Sequence, residues 1–465
     1  MSICHSGLNK KVVGQLICID IGPNHPLIKL ANALSWETIA DIVLPDLKST
    51  TSKKKWWVGR PLRLRIHLGI YILQQLFNKT DRQIEYDVKD NAAYQLFCGR
   101  EIVKKWHAPD HTKIEEFRSR ISPETQQRLA NHVAVIATQL GFTNASEMDI
   151  DSTVQEANIS YPSDTNLLAK LAAKAKKVRD YVVNYLGITK DQLPEIDFKK
   201  IKSQVRTYFF KKQNGIDEKR SLQRTLWKTV CSAVKPMLQF CEDLQEDVIA
   251  KIKPWNIRQA ISQLKSTGKK YLIDVAYFLR KKEMKPGKLL AFHAQAVSCF
   301  NKNKLDRKLQ FGRNFQLGRI GKNFLIVGKC ETVRQEDKKS IQPMVNLHQQ
   351  LFGEKTLDSA GADKGYYSKK NEKFLKNTGV NEIGLQKPAR KNQPALEEPD
   401  LTMEKLINRR SGIEPLIGHA KHKGQLGQSR MKSDRTTESA GYAAILGFNG
   451  RQLIRNLTGV AALCR

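Results

Sequence analysis

One acidic and two basic residues stand at helical spacing in a short segment near the C-terminus. Arg410, Glu414 and Lys421 are separated by four and seven residues. At about 100° per residue, an α-helix would bring Glu414 and Lys421 within about 20° of each other, with Arg410 about 40° away. A carboxylate between two cations on one helical face suits a site that holds both a metal ion and a phosphate. Pro415 directly after Glu414 predicts that a helix begins or bends there.

Two aspartates further upstream belong to segments with β-strand character. Asp151 lies in SEMDIDSTVQEA (146–157), which alternates and is rich in β-branched residues. Asp149 alternates onto the same face, so spacing alone allows either aspartate to be functional, or both to pair with lysines. Asp363 ends the strand-like run KTLDSAGAD (355–363), where a purely turn-forming role is the plainer alternative.

Three carboxylates from two strands and a helix suggest a site for divalent cations. Mg²⁺ or Mn²⁺ prefers carboxylate oxygens, and two ions about 4 Å apart can activate an attacking oxygen and neutralise a leaving one. We therefore expect Asp363, Glu414 and either Asp151 or Asp149 to be metal ligands and catalytic residues. Arg410 and Lys421 are then expected to contact DNA phosphates. Taken alone, a glutamate beside two cations is more often a solvated ion pair.

The charge balance indicates a polyanionic partner. Lys and Arg number 79 against 46 Asp and Glu, which gives the 465-residue chain a formal charge of +33. This surplus favours contacts with nucleic-acid phosphates. The eight cysteines form no CxxC pair, which favours reduced thiols without a zinc site. The chain has no uncharged apolar run of 18 residues or more, so we expect a soluble cytoplasmic protein that does not bind membranes.

A second basic region contains aromatic residues as well. KKKWWVGRPLRLR (53–65) holds six bases and two tryptophans and no acid. Bases interleaved with aromatics suit a nucleic-acid backbone. The alternative is a solvated linker whose tryptophans pack on the neighbouring helices. The residues expected to bind DNA here are Lys54, Lys55, Arg60 and Arg63.

The hydrophobic patterns predict an α/β protein with two domains. Residues 1–145 are predicted as an all-α, DNA-binding N-terminal domain with helix-turn-helix-like short helices, capped by Thr80, Asn91 and Thr112. Residues 146–465 are predicted to contain strands and helices interrupted by a helical insertion at about 163–300, which includes GKLLAFHAQAVSCF. Without the insertion, the order is strand, strand, strand, helix, strand, helix, strand, helix. This gives a mixed five-stranded sheet with flanking helices, an order that resembles the ribonuclease H-like fold.

Three motifs in order resemble the DDE transposases of bacterial insertion sequences, in the branch with a Tyr, Arg, Glu, Lys signature around the last acid. The signature places three and six residues between Arg, Glu and Lys, as in Arg410, Glu414 and Lys421. Ile407 stands at the position of the tyrosine. The predicted N-terminal helices also resemble the domain that precedes the catalytic core in such enzymes.

The other two motifs supply the aspartates. IDST (150–153) is similar to the first aspartate motif of the family, which assigns Asp151 and leaves Asp149 unassigned. ADKGYYS (362–368) is similar to the second aspartate motif, which assigns Asp363. The resemblance implies a catalytic triad of these two aspartates with the glutamate of the third motif.

The resemblance also implies an activity and partners. Such an enzyme cuts double-stranded DNA at the terminal inverted repeats of its element with water, and joins the freed 3′ hydroxyl to target DNA, using two Mg²⁺ or Mn²⁺ ions. A homodimer is expected to hold the two ends together, in the nucleoid of a bacterial cytoplasm. Two alternatives remain: a non-catalytic DNA-binding protein on a decayed or repurposed transposase scaffold, and a nuclease that only hydrolyses.

Overall fold

The computed structural model describes most of the chain in two compact units. One unit comprises Met1–Asn158 with Phe300–Arg465, and the other comprises Ile159–Cys299. The described residues are 2–5, 17–47, 64–99, 108–187, 192–193, 195–210, 215–285, 287–301, 309–331, 335–388 and 401–459.

The first unit begins with two short strands and seven helices. The strands pair antiparallel, so the prediction of an all-α N-terminal region was wrong. Each strand has only four residues and includes β-branched isoleucine, which favours extended backbone. The elements are β1 (Ser2–His5), β2 (Ile17–Asp20), α1 (Pro26–Ala33), α2 (Trp36–Leu47), α3 (Leu64–Leu76), α4 (Asp81–Asp90), α5 (Ala92–Phe97), α6 (His111–Arg120) and α7 (Pro123–Gln139).

Side-chain caps fix where the short helices begin. Thr80 caps α4 in a reciprocal capping box with Gln83, and Asn91 accepts a hydrogen bond from an amide in the first turn of α5, as predicted. The expected cap at Thr112 was wrong, because Asp110 caps α6. An ionised carboxylate accepts amide hydrogen bonds more strongly than a hydroxyl, and the helix therefore begins earlier.

A mixed sheet of six described strands forms the centre of the first unit. The strand order is β4-β5-β3-β7-β8, and β6 pairs with β5. β3 pairs antiparallel with β5 and parallel with β7, β5 pairs antiparallel with β6, and β7 is parallel to β8. The strands are β3 (Glu147–Glu156), β4 (Ser298–Asn301), β5 (Leu309–Ile320), β6 (Phe324–Val327), β7 (Ser359–Ala362) and β8 (Glu382–Leu385).

The sheet has one strand more than the five predicted. The extra strand, β4, comes from the run 287–300, which was predicted to be helical. Its apolar residues allow either structure, and a short apolar run cannot be assigned by periodicity alone. The predicted hairpin of β5 and β6 is confirmed.

The second unit is helical and has its own hydrophobic core. A buried ion pair, 2.7 Å long, joins Lys288 to Asp164, the first residue of α8. The helices are α8 (Asp164–Tyr185), α9 (Phe198–Phe210), α10 (Ile216–Asp243), α11 (Glu246–Lys251), α12 (Trp255–Gln263) and α13 (Lys269–Lys281).

The remaining helices return to the first unit. The last and longest of them is almost wholly buried and packs against α7, α3, α1 and β6. The N-terminal helices and the sheet therefore share one hydrophobic core. No helix within the described ranges is both long and apolar enough to cross a membrane. The helices are α14 (Ile341–Phe352), α15 (Lys369–Asn377), α16 (Leu401–Ser411), α17 (Ile413–His422) and α18 (Asp434–Thr458).

Candidate functional site

Asp151 and Asp363 stand side by side on neighbouring strands. β3 and β7 run parallel, and their last paired residues are Ile150 and Ala362. The two aspartates are the next residues along each strand. Because adjacent strands are about 4.8 Å apart and the backbone of Asp363 is still extended, the two aspartates are neighbours where this pairing ends. The structure thus brings together the aspartates of two separate sequence motifs.

Backbone amides anchor both of these carboxylates. Asp151 is half-buried, and its Oδ1 accepts a hydrogen bond of 2.7 Å from the amide of Ser152. Asp363 is exposed and begins a 3₁₀ turn over Lys364–Tyr366, in which its Oδ1 accepts a bond of 2.8 Å from the Lys364 amide. These two hydrogen bonds fix the orientation of both carboxylates where the pairing of β3 with β7 ends.

Asp149 has a different environment, although it shares the strand face of Asp151. It is buried, and its Oδ2 accepts hydrogen bonds of 3.1 and 2.6 Å from the guanidinium of Arg319. Its Oδ1 accepts a further bond of 3.1 Å from Arg409. Two arginines therefore occupy this carboxylate, which makes Asp149 a structural residue that ties β5 and α16 to β3. Spacing alone allowed either Asp149 or Asp151 to be the functional residue. The ion pairs of Asp149 leave Asp151 as the candidate.

The segment with the third acid forms two helices, where a single helical face was predicted. α16 ends at Ser411 and α17 begins at Ile413, with Gly412 between them. A Cβ at Gly412 would collide with the Arg319 guanidinium, so glycine allows this junction to lie against the sheet. Pro415 is the third residue of α17, where a missing amide costs nothing because the first four amides lack helical partners. The break predicted from Pro415 falls just before Glu414.

α17 runs along β3 and carries Glu414 in its first turn. The helix starts beside Arg319, the partner of Asp149, and the chain after its end meets β3 where Gln155 donates a 2.7 Å bond to the Gln425 carbonyl. Glu414 therefore lies near the Asp149 end of β3. Its side chain is 64% exposed and forms an ion pair of 3.8 Å with Arg410. Lys421 is in the last turn of the same helix.

The three predicted metal ligands are not gathered into one cluster. Within the described ranges, no group of three or more His, Cys, Asp or Glu side chains is placed to hold a metal ion. Asp151 and Asp363 fit the oxygen donors that a hard divalent cation takes, while Glu414 is turned toward Arg410. The aspartate pair is thus the structural nucleus of the candidate site.

Tyr366 lies in the turn that begins at Asp363 and holds that turn in place. It was not among the residues predicted from the sequence. It is buried, and its hydroxyl donates a 3.0 Å hydrogen bond to Oε1 of Gln316 on β5. Burial raises the pKa of Tyr366 well above its ordinary value, and the nearby charge of Asp151 raises it further. The bond ties the turn that begins at Asp363 to the strand beside Asp151. The two adjacent tyrosines in ADKGYYS (362–368) were the sequence feature that could have pointed to this residue.

The structure describes Arg410 and Lys421 but not the other residues that were predicted to bind DNA. Arg410 is at the C-terminal end of α16 and is mostly buried along its side chain. The N-terminal basic run falls in a stretch that the structure does not describe. The residues outside the described ranges are Lys54, Lys55, Arg60 and Arg63.

The N-terminal part of the chain is similar to known proteins. Residues 18–120 match the family model for a transposase domain, DUF772. This similarity covers less than a quarter of the chain. It extends from β2 to the end of α6, and so ends before the sheet that carries the aspartates.

The chain is also similar to one curated protein. The chain is 26% identical over 169 residues to the uncharacterized protein ORF8 in the nfe locus of Rhizobium meliloti, which covers 34% of this chain and 76% of that protein. No solved structure matches. The similarity to a transposase domain thus comes from the family model over residues 18–120, and the relative is itself uncharacterized.

Proposed function

We propose that this protein is a DDE transposase that cuts and joins double-stranded DNA at the terminal inverted repeats of an insertion sequence. Asp151 and Asp363 are the central pair of catalytic ligands, and Glu414 is the third. The observation that carries the proposal is that Asp151 and Asp363 each directly follow the last paired residues, Ile150 and Ala362, of the parallel strands β3 and β7. The similarity of residues 18–120 to a transposase domain supports the same conclusion independently.

The sheet supports a ribonuclease H-like core for this activity. The antiparallel strands β5 and β6 lie on one side of β3, and the parallel strands β7 and β8 lie on the other. This agrees with the element order that resembles such a core, with the helical unit inserted after β3. In open α/β sheets, ligands commonly bind at the carboxyl ends of the strands, and Asp363 follows the carboxyl end of β7.

The residues of the site have distinct roles in this proposal. Asp151 and Asp363 would hold Mg²⁺ or Mn²⁺, and Glu414 would join them when its exposed side chain leaves Arg410, a contact of 3.8 Å. Bound in pairs, such ions activate an attacking oxygen and stabilise a leaving one. Arg410 and Lys421 would bind phosphate oxygens of the DNA.

The charge of the protein and the reaction imply the partners. A formal charge of +33 favours binding to DNA, since each neutralised phosphate releases a condensed counterion. Joining two ends of one element in a single complex requires two active sites, so we propose that a homodimer forms on DNA. Because the proposed substrate is bacterial DNA, we propose that the protein acts on the nucleoid.

Strand cleavage with purified protein tests the proposal. Wild type with Mg²⁺ or Mn²⁺ should nick DNA that carries the ends of its element, and Asp151→Asn or Asp363→Asn should bind this DNA without cutting it. Asp358→Asn is the matched control, because this exposed aspartate precedes the same strand that Asp363 follows. It should cut at the wild-type rate. Wild-type binding without metal-dependent cleavage would favour the non-catalytic alternative.

A further inference from the structure

A basic cleft opens in the first unit, away from the aspartate pair. It has a volume of about 520 Å³ and lies between the start of α4, α6, and the segment leading into α18. Five cationic side chains and two carboxylates line it, a net charge of +3. The lining cations are Lys79, Arg118, Arg430, Lys432 and Arg435.

The acidic and basic residues on the N-terminal wall of the cleft largely neutralise each other. Arg118 binds Asp81 through both guanidinium nitrogens, and Asp81 also accepts a 2.7 Å bond from Gln74. Lys79 forms an ion pair of 3.2 Å with Asp87. These contacts hold the side chains of this wall in place. They also neutralise most of its charge, so it offers little attraction to a charged ligand.

The opposite wall carries cations that no described carboxylate neutralises. Arg430, Lys432 and Arg435 are exposed, and none of them forms an ion pair with any acid in the part of the chain that the structure describes. Arg435 makes only a long hydrogen bond of 3.4 Å to the carbonyl of Arg120. Three like charges on one wall repel each other, and a bound polyanion removes that repulsion.

One lining residue of the cleft is hydrogen-bonded to the strand that carries Asp151. Gln425 lines the cleft, and its carbonyl accepts a bond from Gln155 on β3. Asp151 is four residues before Gln155 on the same face, about 13 Å along the strand. That length corresponds to about four base-pair steps of duplex DNA at 3.4 Å each.

We propose that this cleft binds backbone phosphates of duplex DNA, several base pairs from the phosphate that reaches the aspartates. This inference rests on the proposed function and adds a second contact surface to it. The wall that contains Asp81 limits how closely the duplex approaches. Arg430, Lys432 and Arg435 on the opposite wall contact its phosphates. Such contacts position the duplex without reading its sequence.

Binding to a short mixed-sequence duplex without metal, measured over a range of salt concentrations, tests the inference. The triple variant Arg430→Ala, Lys432→Ala, Arg435→Ala should weaken binding and reduce the slope of log K against log salt by about 0.9 for each phosphate that is no longer neutralised. The matched control is an equal loss of charge on the exposed face of α10, at Arg224, Lys228 and Lys235. It should reduce the slope less. Circular dichroism and the melting temperature should show that both variants remain folded.

The outcomes separate the cleft from the overall function. If wild type binds DNA and the cleft variant keeps the wild-type affinity and salt slope, the cleft is not a DNA surface and the proposed function stands. Equally weakened binding in the cleft and control variants would also overturn the assignment, because the effect would then reflect net charge alone. If wild type binds no DNA, the proposed function fails and the inference fails with it.

Discussion

Asp149 and Arg319 form a buried ion pair across β3 and β5, with Oδ2 of the aspartate 2.6 and 3.1 Å from two guanidinium nitrogens. Asp151, two residues further along the same face, is half-buried and accepts a hydrogen bond from the Ser152 amide. One strand face thus carries a structural aspartate followed by the one that we propose as a metal ligand. The two residues should respond differently to the same substitution.

Asp149→Asn should destabilise the first unit, and Asp151→Asn should not. Loss of the Asp149 charge leaves the guanidinium groups of Arg319 and Arg409 without their carboxylate in a buried setting. Breaking a buried pair in this way costs about 3–5 kcal/mol of unfolding free energy. Urea denaturation of both variants measures the difference. Equal stabilities would show that the buried pair does not hold α16 and α17 to the sheet.

Gly361→Ala tests how tightly β7 packs against the buried Asp149 carboxylate of β3. A Cβ at Gly361 would lie 2.6 Å from Oδ1 of Asp149, which Arg319 and Arg409 hold in place. We expect a decrease of about 1–3 kcal/mol in unfolding free energy from overpacking. The control is Gly418→Ala in α17, where a Cβ meets nothing within 4 Å. It should raise stability by up to about 1 kcal/mol through helix propensity, and an unchanged stability of Gly361→Ala would contradict the close packing at this position.

Tyr366→Phe should slow strand cleavage more than it weakens DNA binding. The variant lacks the hydrogen bond to Gln316 that ties the Asp363 turn to β5, at a cost of about 1 kcal/mol in stability. Single-turnover cleavage rates and DNA dissociation constants, measured separately, check the prediction. Tyr367→Phe is the control, because it removes a hydroxyl that donates a 3.4 Å hydrogen bond to Glu372 on α15 and does not tie the turn to β5. Equal cleavage rates in the two variants would remove the positioning role of Tyr366.

Glu85 gives the N-terminal helices an acid-sensitive contact. Hydrogen bonds from Lys89 and His111 lower the pKa of Glu85 to about 2. A carboxylate whose pKa is lowered on folding stabilises the fold above its ordinary pKa of about 4.5, and this stabilisation disappears as the pH falls toward 2. Glu85→Gln should therefore be less stable than wild type at neutral pH, and the gap should close between about pH 4.5 and 2. Unfolding free energies against pH measure this, and a gap that is independent of pH would contradict it.

The local structure of the sheet region was largely predictable from sequence. β3 and the β5–β6 hairpin follow from alternating β-branched residues and glycine turns, which are local signals. The motifs predicted Asp151 and Asp363 as site residues. Their adjacent register depends on the pairing of β3 with β7, which joins segments 212 residues apart. No local pattern encodes such a pairing.

Other features depended on contacts that the sequence does not reveal. Arg319 and Arg409, the partners of Asp149, are 170 and 260 residues away from it, so its structural role could not be separated from that of Asp151 by spacing. The helix break at Gly412 depends on the space that Arg319 occupies. β4 was missed because its four residues follow an apolar run that is compatible with helix or strand.

Binding of Mn²⁺ to the protein–DNA complex, followed by electron paramagnetic resonance, tests the aspartate pair most directly. Wild type should bind the ion, and Asp151→Asn and Asp363→Asn should each weaken binding by about tenfold or more. Asp358→Asn should bind it as wild type does. Unchanged Mn²⁺ affinity in both Asp151→Asn and Asp363→Asn would show that these neighbouring carboxylates do not hold a divalent cation, and would contradict the proposed catalytic site.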